Sequence, residues 1–275
     1  MLDSQGINAR SASTMSSCWM THEACWMGRS QETAWPKPSV TVVYVCVCGV
    51  PEYRDKAMRF GMSYLKHPPR YPHQTLVLFN NGRPTPVVSS YLAGLGKYQS
   101  YQHSNAGWDI GALLAAYPMV KTDLLLFLGA HDYFHREGWL LKIADAYKNF
   151  GPGMYGCFSS YAVRPHLNTS AFAVSPFLLD LFRDRVMSKG ERYEFEHGKT
   201  SLWRRVQACG LPTMLVTWDG VWPPERWREP RNILWDGDQS NCLVWDNHVD
   251  NYREEARQKS ARRGELAAFA NTGIK

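Results

Sequence analysis

Three polar segments of the sequence contain residue types that enzymes use to bind ligands and to catalyse reactions. The first is residues 104–112, Ser-Asn-Ala-Gly-Trp-Asp-Ile-Gly-Ala. Gly107 and Gly111 let the backbone come close to a ligand. Asp109 has two interpretations that these residues leave open: it caps the helix that follows, or its carboxylate accepts hydrogen bonds from ligand hydroxyls or amides.

The second segment follows a strongly apolar run and reads Leu-Phe-Leu-Gly-Ala-His-Asp-Tyr over residues 126–133. A carboxylate just beyond a buried strand is well placed to hold a divalent cation against a pyrophosphate, because hard cations take oxygen ligands and complete their shells with phosphate and water. Asp132 is therefore a candidate metal ligand. An aspartate that only stabilises a turn fits these residues equally well.

The third group lies in the later half of the chain, in residues 166–172 and 194–201. It brings together histidine, serine and glutamate, the side chains that move protons in many enzymes. Glu196 is expected just before a helix, where it would act as a general base. The alternative is that Glu196 and Thr200 only provide hydrogen bonds at the start of that helix.

A sheet that positions these segments is predicted from the hydrophobic pattern. Residues 40–47 form an almost continuous apolar, β-branched run, typical of a strand buried on both faces. Strands are also predicted at 75–79 and 123–128, with helices at 54–65 and 109–117. This alternation predicts an α/β fold, with a mostly parallel sheet flanked by helices. In such sheets ligands bind beyond the carboxyl ends of the strands, where the sequence has Gly49, Asn80-Asn81-Gly82 and residues 129–132.

The later half is expected to continue the same layout. Its predicted elements are a helix at 138–150, a strand at 154–159, an apolar segment at 171–182 that becomes helical near Pro176, a helix at 200–209 closed by Gly210, and a strand at 215–218.

Composition sets the broad class of the protein. The chain has 275 residues, of which 44% are hydrophobic, and a net charge of +6. That is enough apolar material for a core and excludes a globally disordered chain. No apolar run reaches the roughly 18 to 20 residues needed to span a bilayer, and no secretory signal is recognised. A cytoplasmic protein is expected, with its seven scattered cysteines reduced and mostly buried.

The predicted domain organisation has three parts. Residues 1–38 lack an apolar period and are expected to be a flexible or loosely docked leader. Residues 39–250 form a single domain, and residues 251–275 form a charged, solvated helical tail.

Together the three polar segments resemble those of GT-A fold glycosyltransferases, and are most similar to relatives of the rhamnan synthesis proteins of bacterial polysaccharide assembly. The resemblance covers about residues 40–210. It rests on Asn105-x-Gly107-x-Asp109-x-Gly111, on His131-Asp132 after the apolar strand, on His166-x-Asn168-x-Ser170-x-Phe172, and on Glu196 four residues before Thr200.

This resemblance implies a GT-A-like, Rossmann-like fold and transfer of a sugar from a nucleotide-sugar donor to a hydroxyl acceptor. Glu196 would be the base, and Asp132 would hold Mn²⁺ or Mg²⁺ on the diphosphate. The donor half, residues 39–135, would bind the donor through Val47, Gly49, Asn80, Asn81, Asn105, Gly107, Asp109 and His131.

One departure from the family pattern concerns the metal. GT-A enzymes typically carry D-x-D after this strand, whereas this chain has Gly129 and His131 at the corresponding places and retains Asp132 alone. Metal dependence is therefore open. His248 is a candidate late ligand, with a surface histidine in a polar loop as the alternative.

The acceptor half, residues 136–250, is expected to bind the acceptor through His166, Ser170, Trp218, Trp222, Arg226 and Trp227. Tryptophans interleaved with arginines suit stacking on sugars or contact with nucleic acid. A glycan is the first expectation for the acceptor. A hydroxylated base extruded from DNA is the second, and a noncatalytic protein that binds nucleotide sugars is the alternative of a different class.

Overall fold

An eight-stranded sheet forms the centre of the chain in the computed structural model, which describes residues 34–160, 164–182, 186–233 and 235–254. The predicted leader lies almost entirely outside the described residues, as does the tail beyond Glu254. The helices are α1 (Pro51–Lys66), α2 (Pro86–Leu92), α3 (Trp108–Ala116), α4 (Trp139–Phe150), α5 (Lys189–His197), α6 (Leu202–Ala208) and α7 (Asn247–Glu254).

Ten strands are described. They are β1 (Val40–Val47), β2 (Gln74–Asn80), β3 (Gln99–His103), β4 (Leu124–Leu128), β5 (Met154–Gly156), β6 (Ser159–Ser160), β7 (His166–Leu167), β8 (Ala171–Val174), β9 (Thr213–Val216) and β10 (Val221–Trp222). The large sheet has the order β10-β9-β5-β8-β4-β1-β2-β3, while β6 and β7 pair separately.

Most of the large sheet is parallel. Strands β3, β2, β1 and β4 pair in parallel. Strand β8 runs antiparallel to both β4 and β5, β5 pairs in parallel with β9, and β10 is antiparallel to β9. Strands β8 and β10 are thus the two reversed strands, and all the others share one direction. The predicted α/β fold, with a mostly parallel sheet flanked by helices, is confirmed.

The two central strands, β1 and β4, have continuous apolar runs because they are buried on both faces. Strand β1 is buried on both faces along almost its whole length, and every residue of β4 is buried. The aromatic ring of Tyr44 in β1 stacks on that of Phe60 in α1, with ring centroids 3.6 Å apart. Continuous apolar runs are what a strand covered by helices on both sides requires. Cys46, Cys48, Cys157 and Cys242 are buried and free, as expected, whereas Cys209 is exposed.

Several elements are missing from the prediction, among them the two-residue strands β7 and β10. Three others have a local reason. Strand β3 lies at the edge of the sheet and is polar and mostly exposed, so it has no apolar alternation. Helix α2 is only seven residues long. Helix α5 is mostly charged, although Ser188 and Glu191 form a capping box at its start, a signal that the sequence does contain.

The predicted strand at 154–159 is interrupted. Strand β5 ends at Gly156, and β6 then pairs with β7 instead of continuing the large sheet. The apolar segment at 171–182 divides as expected into strand β8 and a 3-10 helix that begins at Pro176. Gly210 follows α6 with φ +70°, in the left-handed conformation of a glycine that ends a helix. No helix among the described residues is both long and apolar enough to cross a membrane.

Candidate active site

Two cavities lie beyond the carboxyl ends of the parallel strands. The first cavity, of about 290 Å³, is lined by Val45, Val47, Tyr53, Asn80, Asn105, Trp108, Asp109, Ala130, His131, Lys189 and Arg192. The second cavity, of about 390 Å³, is lined by Phe158, Ser159, Ser160, His166, Asn168, Ser170, Arg192, Tyr193, Glu196, His197, Trp235, Gln239, Asp246, His248 and Val249. Arg192 lines both, so the two cavities meet at this side chain.

The first cavity gathers five of the predicted donor-binding residues: Val47, Asn80, Asn105, Asp109 and His131. The side-chain amide of Asn80, at the end of β2, donates to Asn105 Oδ1 at 2.7 Å and to the Trp108 carbonyl oxygen at 3.1 Å. Asn80 thereby holds the loop before α3 against the end of the sheet. Asn105 and Trp108 have φ values of +75° and +57°, a backbone conformation that is uncommon for residues other than glycine.

The other predicted donor residues, Gly49, Asn81 and Gly107, lie outside the cavity lining. The Asn81 amide donates to the Cys48 carbonyl oxygen at 3.1 Å and ties the ends of β1 and β2 together. Gly107 has φ +69°, and a Cβ atom there would overlap the Val186 carbonyl oxygen. Asn81 thus joins two strand ends, and Gly107 lets the start of α3 approach residue 186.

Asp109 lies in the first turn of α3, after the N-cap residue Gly107. Its carboxylate receives a bidentate ion pair from Arg192 of α5, with Nε–Oδ1 at 2.7 Å and Nη2–Oδ2 at 3.1 Å. Burial lowers the pKa of Arg192, but its hydrogen bond to Asp109 and the charges of Asp109 and Glu196 outweigh burial and raise the pKa overall. Asp109 is therefore already half of an ion pair in the wall of the first cavity.

The second cavity gathers His166, Ser170, Glu196 and His248, all predicted as site residues. Glu196 is largely buried and lies in the last turn of α5. Its Oε1 accepts a hydrogen bond from the Thr169 backbone N–H at 3.3 Å, and its Oε2 lies 3.4 Å from Arg192 Nη1. Two donors from different elements therefore fix the orientation of this carboxylate.

Glu194, and not Glu196, provides the hydrogen bonds at the start of α6. Its Oε1 accepts from the backbone N–H of Thr200 at 2.9 Å and from the Thr200 hydroxyl at 2.7 Å. The expectation that Glu196 directly precedes a helix is wrong, because α5 already contains it and α6 starts six residues later. Glu196 is thus left to face the cavity.

His166 presents an unprotonated ring nitrogen beside Glu196. Its Nδ1 lies 2.6 Å from the Arg164 carbonyl oxygen, which accepts only, so Nδ1 carries the proton in the neutral ring. Burial lowers the pKa of His166, against the opposing effects of that carbonyl and of Glu196. Nε2, 3.9 Å from Glu196 Oε1, is then a hydrogen-bond acceptor.

Asp132 lines neither cavity and is only 1% exposed. Its Oδ2 accepts from the Gly129 backbone N–H at 2.7 Å, while Oδ1 is buried without a hydrogen-bond partner in the described chain. Burial, and then the charge of Asp246, raise the pKa of Asp132 well above its usual range. The side-chain hydrogen bond from the Gly129 N–H is the one expected of an aspartate that stabilises a turn.

A cation is nevertheless compatible with this place, because it would satisfy the unpartnered Asp132 Oδ1 and the neighbouring carboxylate of Asp246. His248, the other predicted ligand, pairs with Asp246 through Nδ1–Oδ2 at 3.1 Å. The described residues contain no group of three or more His, Cys, Asp or Glu side chains that could hold a metal ion together. Such an ion would therefore depend on phosphate and water for most of its ligands, as Mg²⁺ commonly does.

The predicted acceptor residues of the tryptophan and arginine loop lie away from both cavities. Trp227 and Trp218 are 1% and 9% exposed, and their indole N–H groups donate to backbone carbonyl oxygens. Arg226 pairs with Glu229 and covers the Trp222 ring. The Trp218 and Trp227 rings pack into the protein because large apolar side chains gain most by burial, whereas Trp222 is half-buried and Arg226 is exposed. None of the four residues lines either cavity.

Sequence reasoning missed several lining residues, notably Arg192, Lys189, Tyr193, Asn168 and Asp246. The capping box before α5 was the available signal. Once that helix is recognised, the spacing of Arg192 and Glu196 places them on one helix face.

No protein-family model matches the sequence, and no curated protein matches it. Among solved structures, a putative glucose-1-phosphate thymidylyltransferase from Bacillus anthracis is similar with a TM-score of 0.47 and 12% identity, over 64% of this chain and 85% of that chain. S. aureus TarS is similar with a TM-score of 0.41 and 12% identity, over 56% of this chain and 32% of that chain.

A shorter S. aureus TarS structure, residues 1–349 in complex with UDP-GlcNAc, has a TM-score of 0.39 and 14% identity, over 52% of this chain and 46% of that chain. The chain thus spans about a third to a half of the TarS structures. Because these TM-scores are low, the fold class is assigned from the order and direction of the strands in the sheet and not from these similarities.

Proposed function

We propose that this protein transfers a sugar from a nucleotide-sugar donor to a hydroxyl group of an acceptor. One observation carries the proposal: a cavity beyond the parallel strands meets, at Arg192, a second cavity that contains the oriented carboxylate of Glu196. In open α/β sheets the strand ends are where nucleotides bind. The meeting point of the cavities then becomes the place where donor and acceptor react.

The first cavity would take the nucleoside and diphosphate of the donor. Its walls combine apolar and aromatic side chains with a few polar groups, the usual composition of small-molecule sites. Tyr53 and Trp108 provide ring surface, and Asn105 and the pair of Asp109 with Arg192 provide hydrogen bonds. Lys189, on the same face of α5 as Arg192, adds a positive charge for the diphosphate.

Glu196 would be the general base. It takes the proton of the acceptor hydroxyl, whose oxygen forms a bond to the anomeric carbon of the donor sugar. The bond between that carbon and the phosphate oxygen breaks, and the nucleoside diphosphate leaves with the electron pair. Arg192 and Thr169 keep the Glu196 carboxylate aimed, since a base must lie within hydrogen-bond reach of its proton.

The proposal includes a divalent cation, which Asp132 and Asp246 would hold. His248 would support this site through its pair with Asp246. When bound, Mn²⁺ or Mg²⁺ would neutralise negative charge on the diphosphate.

The test has a binding part and a turnover part. Thermal unfolding is followed with UDP, GDP, CMP and dTDP sugars, because a ligand that binds only the folded state raises the melting temperature. Turnover of each binding donor is then compared between the natural chain, Glu196→Gln and the control Glu137→Gln, which alters an exposed glutamate paired with Arg70.

We expect at least one nucleotide sugar to bind, and Glu196→Gln to lower kcat by about 10² to 10⁴ while its binding stays the same. Glu137→Gln should behave like the natural chain. Binding without any turnover in the natural chain would instead identify a noncatalytic nucleotide-sugar-binding protein, and no binding by any of these donors would refute the proposal.

A further inference from the structure

The second cavity differs in charge from a surface that binds nucleic acid. Apart from its histidines, its charged lining residues are Arg192, Glu196 and Asp246. Arg192 is already held by the Asp109 carboxylate in a bidentate pair and also faces Glu196. A phosphate group entering this cavity would meet the Glu196 carboxylate and an arginine whose charge is already paired. DNA-binding surfaces instead use exposed Lys and Arg to neutralise phosphates.

The walls of the second cavity also carry hydroxyl groups that lack partners. The Oγ atoms of Ser159 and Ser170 are buried and form no hydrogen bond within the described chain. Ser170 is held in place on both sides, because its N–H donates to Asn168 Oδ1 at 2.7 Å and its carbonyl accepts from the Gly129 N–H at 2.8 Å. A buried hydroxyl without a partner costs free energy, which a ligand with its own hydroxyls would recover.

Aromatic side chains form another part of the wall. Tyr193 is 42% exposed and stacks on His197, with ring centroids 5.5 Å apart and an angle of 28° between the rings. The Nζ atom of Lys189 also lies over the Tyr193 ring, 5.6 Å from its centroid. The exposed part of Tyr193 thus presents an apolar surface beside polar groups. The C–H face of a sugar ring has the matching combination of an apolar face and a polar edge.

We infer that the second cavity binds a neutral, hydroxyl-rich acceptor of one or two sugar rings, and excludes polyanions such as DNA. This inference rests on the proposed function and specifies its acceptor. Ser159 and Ser170 bond to acceptor hydroxyls, the exposed part of Tyr193 contacts a sugar ring, and Glu196 repels phosphate and sulfate.

The test is calorimetric titration of the full chain with three kinds of probe, each at low and high salt and each with and without UDP. The probes are neutral methyl glycosides and disaccharides, their sulfated analogues, and a single-stranded oligonucleotide that contains 5-hydroxymethylcytosine. Ser170→Ala is the site variant, because Ser170 Oγ has no partner to lose. Ser90→Ala is its control, because the exposed Ser90 hydroxyl only donates to the Val87 carbonyl oxygen in α2.

We expect at least one neutral glycoside to bind with little dependence on salt, and its sulfated analogue to bind at least about tenfold more weakly because of like-charge repulsion. Ser170→Ala should weaken the neutral glycoside about two- to tenfold, and Ser90→Ala should not. The inference is overturned if no neutral glycoside binds, if Ser170→Ala leaves its affinity unchanged, or if the oligonucleotide binds more tightly and loses affinity steeply with salt.

These outcomes separate the inference from the proposed function. Nucleotide-sugar turnover with the oligonucleotide as acceptor would support the glycosyltransferase activity but refute the inference of a neutral acceptor. Failure of every nucleotide sugar to bind would refute the glycosyltransferase activity itself, whether or not the glycosides bind.

Discussion

Arg192 of α5 and Asp109 of α3 form a bidentate ion pair, 83 residues apart in the sequence, at the wall shared by the two cavities. The same guanidinium faces Glu196 one turn later on α5. One side chain therefore contacts Asp109, which is proposed to bind the donor, and Glu196, which is proposed to take the proton. If both proposals hold, Arg192 would link donor binding to the orientation of the base.

Replacing Arg192 is expected to impair catalysis more than folding. Arg192→Ala leaves Asp109 and Glu196 without their cation and should cost about 1 to 2 kcal/mol of stability, less than a fully buried pair because both side chains are partly exposed. Arg192→Lys keeps the charge but loses the two-pronged contact. We expect kcat to fall in both variants and most in the alanine variant, measured beside urea unfolding.

An equal loss of stability and kcat in Arg192→Ala, fully restored by lysine, would show that the charge alone matters. Arg70→Ala is the matched control, since Arg70 forms an exposed pair with Glu137, and it should change neither property appreciably.

Gly107→Ala is expected to destabilise the protein more than Gly210→Ala. Both glycines have φ near +70°, so both variants suffer the conformational cost of about 1 to 2 kcal/mol for a left-handed residue. A Cβ at Gly107 also overlaps the Val186 carbonyl oxygen, whereas a Cβ at Gly210 meets nothing within 4 Å. Urea denaturation of the two variants should therefore differ by more than about 1 kcal/mol, and equal losses would contradict the close approach of α3 to residue 186.

Asp132→Asn tests the proposed cation. In the natural chain, Mn²⁺ added together with the donor nucleotide should raise the melting temperature above that with nucleotide alone, because the metal binds only the folded protein. This additional rise should disappear in Asp132→Asn and on addition of EDTA. Asp145→Asn, on the exposed side of α4, is the control. A full metal effect in Asp132→Asn would show that the ion is held elsewhere.

Stability should fall as the solution is acidified below about pH 6.5, the ordinary pKa of histidine. Burial lowers the pKa of His166 in the folded chain, and burial does the same at His73. The unfolded chain therefore binds protons before the folded chain does, and unfolding is favoured as pH falls from the ordinary histidine pKa toward the lowered one. Unfolding midpoints measured across this range give the slope.

His166→Asn should make that slope shallower. Ser90→Ala, which removes an exposed hydroxyl that does not titrate, is the comparison variant. An unchanged slope in His166→Asn would mean that His166 takes up its proton as readily in the folded state, against its burial among Arg164, Glu196 and His197.

The sheet was readable from the sequence because burial on both faces leaves a local mark. The bounds of β1 coincide with its apolar run, and those of β4 differ by one residue. The end of a strand follows from the strand, so the sequence also located Asn80 and His131 at the carboxyl edge of the sheet, where both line the first cavity.

What only the tertiary structure decided is the direction and partner of each side chain. Nothing local pairs Asp109 with Arg192, because a contact between separate helices depends on how both pack against the sheet. Likewise, Trp218 and Trp227 lie in a segment whose tryptophans and arginines are typical of a binding loop, yet their rings are buried. A sequence pattern specifies which surface is apolar or charged, whereas packing determines whether that surface meets solvent, a ligand or the protein itself.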